Sequence, residues 1–447
     1  MSNLYSFTFL NKNRSKNGYK LFFIILIAAL SIRFGMLWFV DYRSDVGDGR
    51  YYLDVARNIL DYHTVTESVT GNPIPSMYRP PLYSFFLAGI FLLFGENLLY
   101  VQLVQILLSI VTIIFTTRIS ALYFPKAAPY VFGLMAISPF EAVYSSAILS
   151  ETLVTFLFIF SLCALLSFKG NKRFMLSGLA LGLCVLVRDI YLPLIIIFAL
   201  CIAFFQEYSR PQYRNALIFL ILACLVVAPW TIRNFQISQR FVPVSEGRLG
   251  LSLWMGTWAT DGKFTSSDAN GKSRIYPTEA FRNQDEKNLV EKALRKGVEG
   301  GDRELRAFAV QRIIENPVDV FKVYFVRAPL LWLGTRFDIF QLNKIYFPRG
   351  SRAYVVVKAT LWGLNFLLVT IAFSSMFLAI RHHHKVLLLA IPIIFTAIIY
   401  FPLNGFENRY SQPVYPLLLI FAGYGFSYLK DKFSLLNLRN KYSSKGF

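Results

Sequence analysis

Leu21–Val40 reads LFFIILIAALSIRFGMLWFV, and Asp41-Tyr42-Arg43 then leads into Ser44-Asp45-Val46-Gly47-Asp48-Gly49-Arg50-Tyr51-Tyr52. The first stretch is an apolar run of 20 residues. At about 1.5 Å of helical rise per residue, such a run crosses roughly 30 Å of hydrocarbon. The second stretch places two carboxylates and a guanidinium among glycines. It opens a helix expected from about Gly49 to Leu60. A membrane span that hands its chain to a knot of ionisable groups decides the fold class. This is an all-α polytopic membrane protein whose chemistry sits at the membrane face.

Composition agrees. Of 447 residues, 55% are hydrophobic and 16% charged, where a soluble domain carries about a quarter charged residues. The net charge of +20 does not point to nucleic acid, because much of it lies in short turns between apolar runs, where it sets orientation. Lys12, Arg14, Lys16 and Lys20 precede the first run. That run is long and lacks a small-residue cleavage site, so it reads as an uncleaved span starting in the cytoplasm. Asp45 and Asp48 then lie outside. The four cysteines, Cys163, Cys184, Cys201 and Cys224, all fall in apolar runs, as packing residues rather than disulfides or ligands.

Further spans are expected at Leu98–Thr117, Ala127–Tyr144, Ser150–Phe168, Phe174–Val187, Leu192–Phe205, Asn215–Trp230, Ala353–Ile380, Val386–Phe401 and Pro413–Leu429. Leu82–Phe94 is too short to cross, and Val318–Leu333 is interrupted by Lys322 and Arg327; both read as partial insertions. The sum is about ten spans plus the two insertions, within a range of about 10–13. Every turn assigned to the cytoplasm is net basic, and both termini fall on that side. Three regions follow: an N-terminal transmembrane module over 1–234 with its first outer loop at 41–97, an extracytoplasmic region over 235–352, and C-terminal helices with a basic tail over 353–447. Within the middle region Glu279–Lys296 and Asp302–Asn316 look helical, the latter with Asp302 as its cap and Pro317 as its stop.

With this topology the unusual polar groups collect on one face: Asp45, Asp48, Arg50, Arg79, Glu141, Glu151, Arg188, Asp189, Arg233, Glu407 and Arg409. Ionisable groups near membrane depth are costly and usually have a partner or a task. Separate carboxylates and separate arginines suit an acid–base step beside a phosphate, since arginine offers a fixed fork of donors. Each also has a plainer reading. Asp48 suits an N-cap; Asp45 suits a surface pair with Arg43 or Arg50. Glu151 suits the first turn of a helix, and Arg188 and Arg233 suit span-end anchors. His382-His383-His384 lies among cytoplasmic anchors, and His63 stands alone in a loop. No phosphate-cradling glycine loop with lysine is present.

Taken in order, these motifs resemble those of the GT-C glycosyltransferases, and within them the group holding protein O-mannosyltransferases and bacterial lipid A aminoarabinose transferases. The likeness runs from about residue 20 to residue 430. Asp48, with Tyr52 and Ala56 following it, resembles the acidic start of the family's first outer loop. Arg79-Pro80-Pro81-Leu82-Tyr83 resembles its proline-bearing segment. Pro139 followed by Ser150-Glu151 resembles the second acidic loop, and Pro229-Trp230 with Arg233-Asn234 the end of a later span. Arg409-Tyr410 with Pro413 and Pro416 resembles the final motif. The family often has Asp-Glu where this chain has Asp48-Gly49, so a second acid beside the first is missing and no divalent metal is indicated.

The resemblance implies a sugar joined to a polyprenyl phosphate as donor, transfer on the outer face of a bacterial plasma membrane, and inversion at the anomeric carbon. It implies no cofactor. The acceptor would be a hydroxyl on a lipid, a glycan or a protein, and the other partners are membrane lipids. On this reading Asp48 is the general base, Asp45 its support, and Glu151 orients acceptor or sugar. Arg188, Arg233 and Arg409 hold the phosphate, with Arg50, Tyr52 and Arg79 lining the substrate site. Two alternatives share parts of this machinery. An outer-face glycan polymerase or ligase with a diphosphate-linked donor needs the same arginines. A flippase or transporter needs midplane polar groups and repeats, and no convincing repeat is found.

Overall fold

A computed structural model of the chain describes residues 16–41, 47–67, 73–204, 212–246, 249–257, 288, 292, 297–337, 341–382, 386–403 and 407–443. The expected helix over Glu279–Lys296 falls almost wholly outside these residues, as do Asp45, His383 and His384.

The helices are α1 (Lys16–Phe39), α2 (Gly47–Tyr62), α3 (Leu82–Phe94), α4 (Leu98–Tyr123), α5 (Ala128–Ile137), α6 (Pro139–Ser146), α7 (Glu151–Ser167), α8 (Asn171–Val187), α9 (Leu192–Phe204) and α10 (Tyr213–Ser238). They continue with α11 (Leu249–Gly256), α12 (Gly297–Glu315), α13 (Pro317–Arg327), α14 (Leu330–Leu333), α15 (Arg352–His382), α16 (Leu387–Tyr400) and α17 (Tyr415–Ser443). Among the described residues, four helices are long and apolar enough to cross a membrane unaided: Lys20–Phe39 of α1, then α4, α10 and α15. Shorter apolar helices, α3, α5, α7, α9 and α16 among them, fill the bundle around these four. It is a multi-pass membrane protein of all-α class.

Local chemistry explains where the elements start and stop. Asn97 caps α4, its side chain accepting a hydrogen bond from the Leu99 amide at 2.9 Å, the ordinary use of Asn at this position. The expected single span over Ala127–Tyr144 is two helices, because Pro139 has no amide hydrogen to continue the ladder. Ser138 starts α6, with its Oγ accepting from the Glu141 amide at 3.4 Å. Val318–Leu333 likewise divides into α13 and α14 around Ala328-Pro329. Pro229 is carried inside α10, which runs on to Ser238. Asp302 is not a cap of its own helix: α12 begins earlier, at Gly297. The Asp302 carboxylate instead accepts from the Gly250 and Leu251 amides at the start of α11, each at 3.0 Å.

Packing between spans uses small residues and hydroxyls. A Cβ on Gly182 of α8 would come within 2.7 Å of the Ala223 carbonyl oxygen of α10, and one on Gly178 would strike the Phe219 carbonyl. Glycine lets these two backbones approach. Ser161 of α7 donates to the Ser177 carbonyl of α8 at 2.9 Å. One buried apolar core runs from Ala29 in α1 to Ala422 in α17, and a small satellite of Trp254, Leu305 and Ala309 joins α11 to α12. The end of α1 is tied to the segment before α15 by a short antiparallel pair, β1 (Val40–Asp41) with β2 (Gln341–Leu342).

The chain ends of this bundle differ in character. Arg118 at the end of α4 donates to the Ser167 carbonyl at the end of α7, and Lys126 pairs with Asp431 at 2.7 Å. The opposite ends of α7 and α8 carry Glu151 and Arg188, which meet.

Candidate active site

Asp48 stands in the first turn of α2, a strongly amphipathic helix whose inner face buries Tyr52, Leu53, Val55 and Ala56. The loop before α3 brings Arg79 back over that face, and the 3-10 segment Asn408–Val414 brings Arg409 from the far end of the sequence. The two guanidinia grip the carboxylate from either side. Arg79 Nη2 donates to Asp48 Oδ1 at 2.6 Å, and Arg409 Nη1 donates to Oδ2 at 2.8 Å. The three side chains are 20% (Asp48), 8% (Arg79) and 13% (Arg409) exposed. Charge-assisted bonds of this kind are about twice as strong as neutral ones.

Burial opposes the charge on Arg79, but Asp48 together with Tyr52 and Tyr78 more than offsets it and holds the arginine above its ordinary pKa. Arg409 behaves likewise: burial lowers it, while Glu407, Tyr410 and Asp48 raise it well beyond the ordinary value. Glu407 lies 2.5 Å from Arg409 Nε. Arg79 also sits over the rings of Tyr51, Tyr52 and Tyr78, its carbon 4.8, 5.3 and 5.5 Å from their centroids. Burial and the nearby Glu67 push the Tyr51 hydroxyl upward, so it stays neutral and donates no charge to the site.

A second pair lies near Tyr410, as Arg409 does. Glu151 opens α7 and is almost fully buried; its Oε1 accepts from Arg188 Nη2, at the end of α8. Glu151 Oε2 has no hydrogen-bond partner among the described residues. Burial lowers the Arg188 pKa, but Glu151 together with Tyr400, Tyr191 and Tyr52 outweighs that and holds the guanidinium above its ordinary value. Arg188 also faces the Tyr410 ring at 5.7 Å, and Tyr410 stacks on Tyr400 at 4.8 Å.

A cavity of about 480 Å³ adjoins both pairs. Asp48, Tyr52, Arg79, Arg188 and Arg409 all line it, together with Asp189. The lining also holds apolar side chains: Val187, Ile190, Leu192, Ile399 and Leu403. Leu249 and Ser252 of α11 form part of the wall, which is why the Asp302 cap on that helix matters to the site. Asp189 accepts a hydrogen bond from Ser245 Oγ.

The structure thus brings together five of the expected residues, with Glu151 directly behind Arg188. It does not bring in Arg50 or Arg233, and Asp45 lies outside the described residues. Arg50 is 68% exposed and pairs with Asp54 one turn along α2. Arg233 donates to the Ser76 carbonyl at 2.8 Å and the Val65 carbonyl at 3.4 Å, with its guanidinium over Trp230. It fastens the loop that carries Arg79 and does not line the cavity. Tyr400, Tyr410 and the α11 residues were not expected; Tyr410 was visible only as the neighbour of Arg409 in the final motif. Among the described residues no group of three or more His, Cys, Asp or Glu side chains is placed to hold a metal ion. Cys163, Cys184 and Cys201 are buried, Cys224 is exposed, and all four are free.

Residues 78–232 match the family described as dolichyl-phosphate-mannose-protein mannosyltransferase. That segment contains Arg79, Glu151 and Arg188 but not Asp48 or Arg409, and it covers less than half of the chain. No curated protein matches the chain by sequence. Two kinds of solved structure resemble it distantly. ArnT from Cupriavidus metallidurans, in its apo state and bound to undecaprenyl phosphate, is 14% identical with a TM-score of 0.41, the match covering 92% of this chain and 78% of that one. The Archaeoglobus fulgidus oligosaccharyltransferase, in complex with Zn and sulfate, is 13% identical with a TM-score of 0.48. That match covers 92% of this chain and 50% of the oligosaccharyltransferase.

Proposed function

We propose that this protein is a membrane glycosyltransferase that moves a sugar from a polyprenyl-phosphate-linked donor to a hydroxyl acceptor, inverting the anomeric carbon. The observation that carries the proposal is the Asp48 carboxylate held between Arg79 and Arg409 in a cavity lined by both charged and apolar side chains. The family match over 78–232 supports the reaction class.

The chemistry follows from these groups. An acceptor hydroxyl is a poor nucleophile until a base takes its proton. As its oxygen bonds to the anomeric carbon, the bond from that carbon to the phosphate oxygen breaks, and the electron pair leaves with the polyprenyl phosphate. Negative charge therefore grows on the leaving oxygen, where preorganised guanidinium donors stabilise it. Arg79, Arg188 and Arg409 supply those donors, and the apolar part of the lining suits the prenyl chain.

Arg79 and Arg409 hold the Asp48 carboxylate in place, and a donor phosphate entering the cavity is offered the same guanidinium forks. Glu151 keeps Arg188 aimed at the cavity. The basic turns Lys169, Lys172 and Arg173 lie at the ends of α7 and α8 remote from Glu151 and Arg188, so the positive-inside rule supports a site on the outer face.

Purified protein in proteoliposomes, given sugars linked to polyprenyl monophosphate or to polyprenyl diphosphate and a panel of lipid, glycan and peptide acceptors, tests the proposal by mass spectrometry of both products. The expected result is a glycosylated acceptor with release of polyprenyl monophosphate. Release of a diphosphate would instead favour the polymerase or ligase reading, and lipid movement without transfer would favour a flippase.

A further inference from the structure

A chain of buried polar groups behind the cavity takes no part in the reaction just described. Arg336 is fully buried between α14 and β2, with a left-handed backbone (φ 58°), a conformation uncommon for any residue but glycine. Its Nη1 donates to Gln412 Oε1 at 2.8 Å and its Nη2 to Ser411 Oγ at 2.8 Å. Its Nε donates to Asn365 Oδ1 at 3.2 Å, and Tyr415 covers the guanidinium face at 3.9 Å. On the other side of Gln412, its Nε2 donates to Glu141 Oε1 at 2.6 Å. Glu141 is buried in α6, and the cations whose fields reach it are Arg33 and Arg336.

The amide of Gln412 is therefore a link between a buried carboxyl group and a buried guanidinium. Only one orientation serves both ends: the NH2 toward Glu141 and the carbonyl toward Arg336. Buried charges that are unpaired are costly, so this chain has little freedom to rearrange. Its members Asn408, Ser411 and Gln412 flank Arg409 on the same 3-10 segment. Asn408 is further wedged against Gly334, where an added Cβ would collide with the Asn408 amide. Arg409 itself reaches Asp48 from a backbone anchored on both sides by this network.

We propose that Glu141, Gln412 and Arg336 are positioning residues that fix the 408–412 segment so that Arg409 meets Asp48. The proposal rests on geometry; its extension to transfer rests on the phosphate role given to Arg409 above. Two measurements on the full-length protein in detergent keep the two claims apart. The first is hydrogen–deuterium exchange over 407–412 in Gln412→Met, Glu141→Ala and Glu141→Gln. Gln412→Met and Glu141→Ala are expected to raise exchange there at least tenfold, and Glu141→Gln, which keeps an acceptor for Gln412, by much less. Unchanged exchange over 407–412 in both Gln412→Met and Glu141→Ala would overturn the proposal. The second is binding of a polyprenyl monophosphate to Arg409→Gln, Gln412→Met and the double variant. If Gln412 acts through Arg409, Gln412→Met weakens binding in the wild-type background and adds less than twofold in the Arg409→Gln background, because coupled residues are not additive. Full additivity would overturn the positioning role. Wild-type binding by Arg409→Gln would instead remove the phosphate role of Arg409 and leave the exchange result to decide the positioning claim.

Discussion

Arg188→Gln is the perturbation whose size the structure defines best. Glu151 is 1% exposed and Arg188 14% exposed, so removing the guanidinium strands a carboxylate with almost no access to water. Breaking a buried pair in this way costs about 3–5 kcal/mol, because the surviving charge has lost its compensation. With about 2.1 cal/mol/K of unfolding entropy per residue over the whole chain, that lowers the melting temperature by roughly 3–5 °C. The double variant Glu151→Gln/Arg188→Gln replaces the pair by two neutral amides that hydrogen-bond to each other. It is expected to recover most of the loss, leaving a deficit of about 1 kcal/mol. The assay is thermal unfolding of detergent-purified protein for the wild type, both single variants and the double variant. Arg188 has a second, weaker contact with the Tyr410 ring, which both Arg188 variants lose equally and which therefore cancels from the comparison. Simple additivity of the two single changes, or an Arg188→Gln protein as stable as wild type, would refute the coupling.

Three further outcomes follow from the same geometry. Arg79→Gln and Arg409→Gln each remove one charged donor, worth about 1.5–3 kcal/mol, and are expected to weaken binding of a polyprenyl monophosphate roughly 10- to 150-fold, measured by calorimetry in detergent. Arg50→Ala is expected to keep transfer within about twofold and stability within about 0.5 kcal/mol of wild type, since its side chain points to solvent beside Asp54; initial rates in proteoliposomes check it. Asp302→Ala removes the acceptor for two amides of α11 and is expected to cost about 1–2 kcal/mol. It should also raise the donor KM, because α11 supplies Leu249 and Ser252 to the cavity wall.

Much of the bundle could be read from the sequence because apolar runs bounded by charges leave few choices in a membrane. The bounds of α3 came out as expected from the run alone, and α2 begins and ends within two residues of the expected helix. Three arginines of the cavity were visible for the same reason: a guanidinium beside an apolar run needs a partner or a task. That signal did not separate Arg188 from Arg233. Both sit near the end of an outward run, and only the rotation of α10 turns Arg233 toward the Val65 and Ser76 carbonyls. Asp302 was misread because a cap is a local pattern, whereas the amides it serves belong to a helix some 50 residues earlier. Glu141 was visible as a carboxylate at the membrane face, but its chain to Gln412 and Arg336 was out of reach. The members of that chain come from α6, the 3-10 segment and the turn after α14, and no spacing within any one of them announces the others.

The central claim is that Asp48 takes the acceptor proton, and sugar transfer by Asp48→Asn in proteoliposomes tests it most directly. Asparagine keeps the shape of the side chain and an acceptor oxygen for one of the two arginines, so the variant should insert and fold. A positioned general base contributes about 10²–10⁴-fold, and the account predicts a loss of that size in turnover with polyprenyl phosphate still bound. Near-normal turnover by a correctly folded Asp48→Asn protein would contradict it.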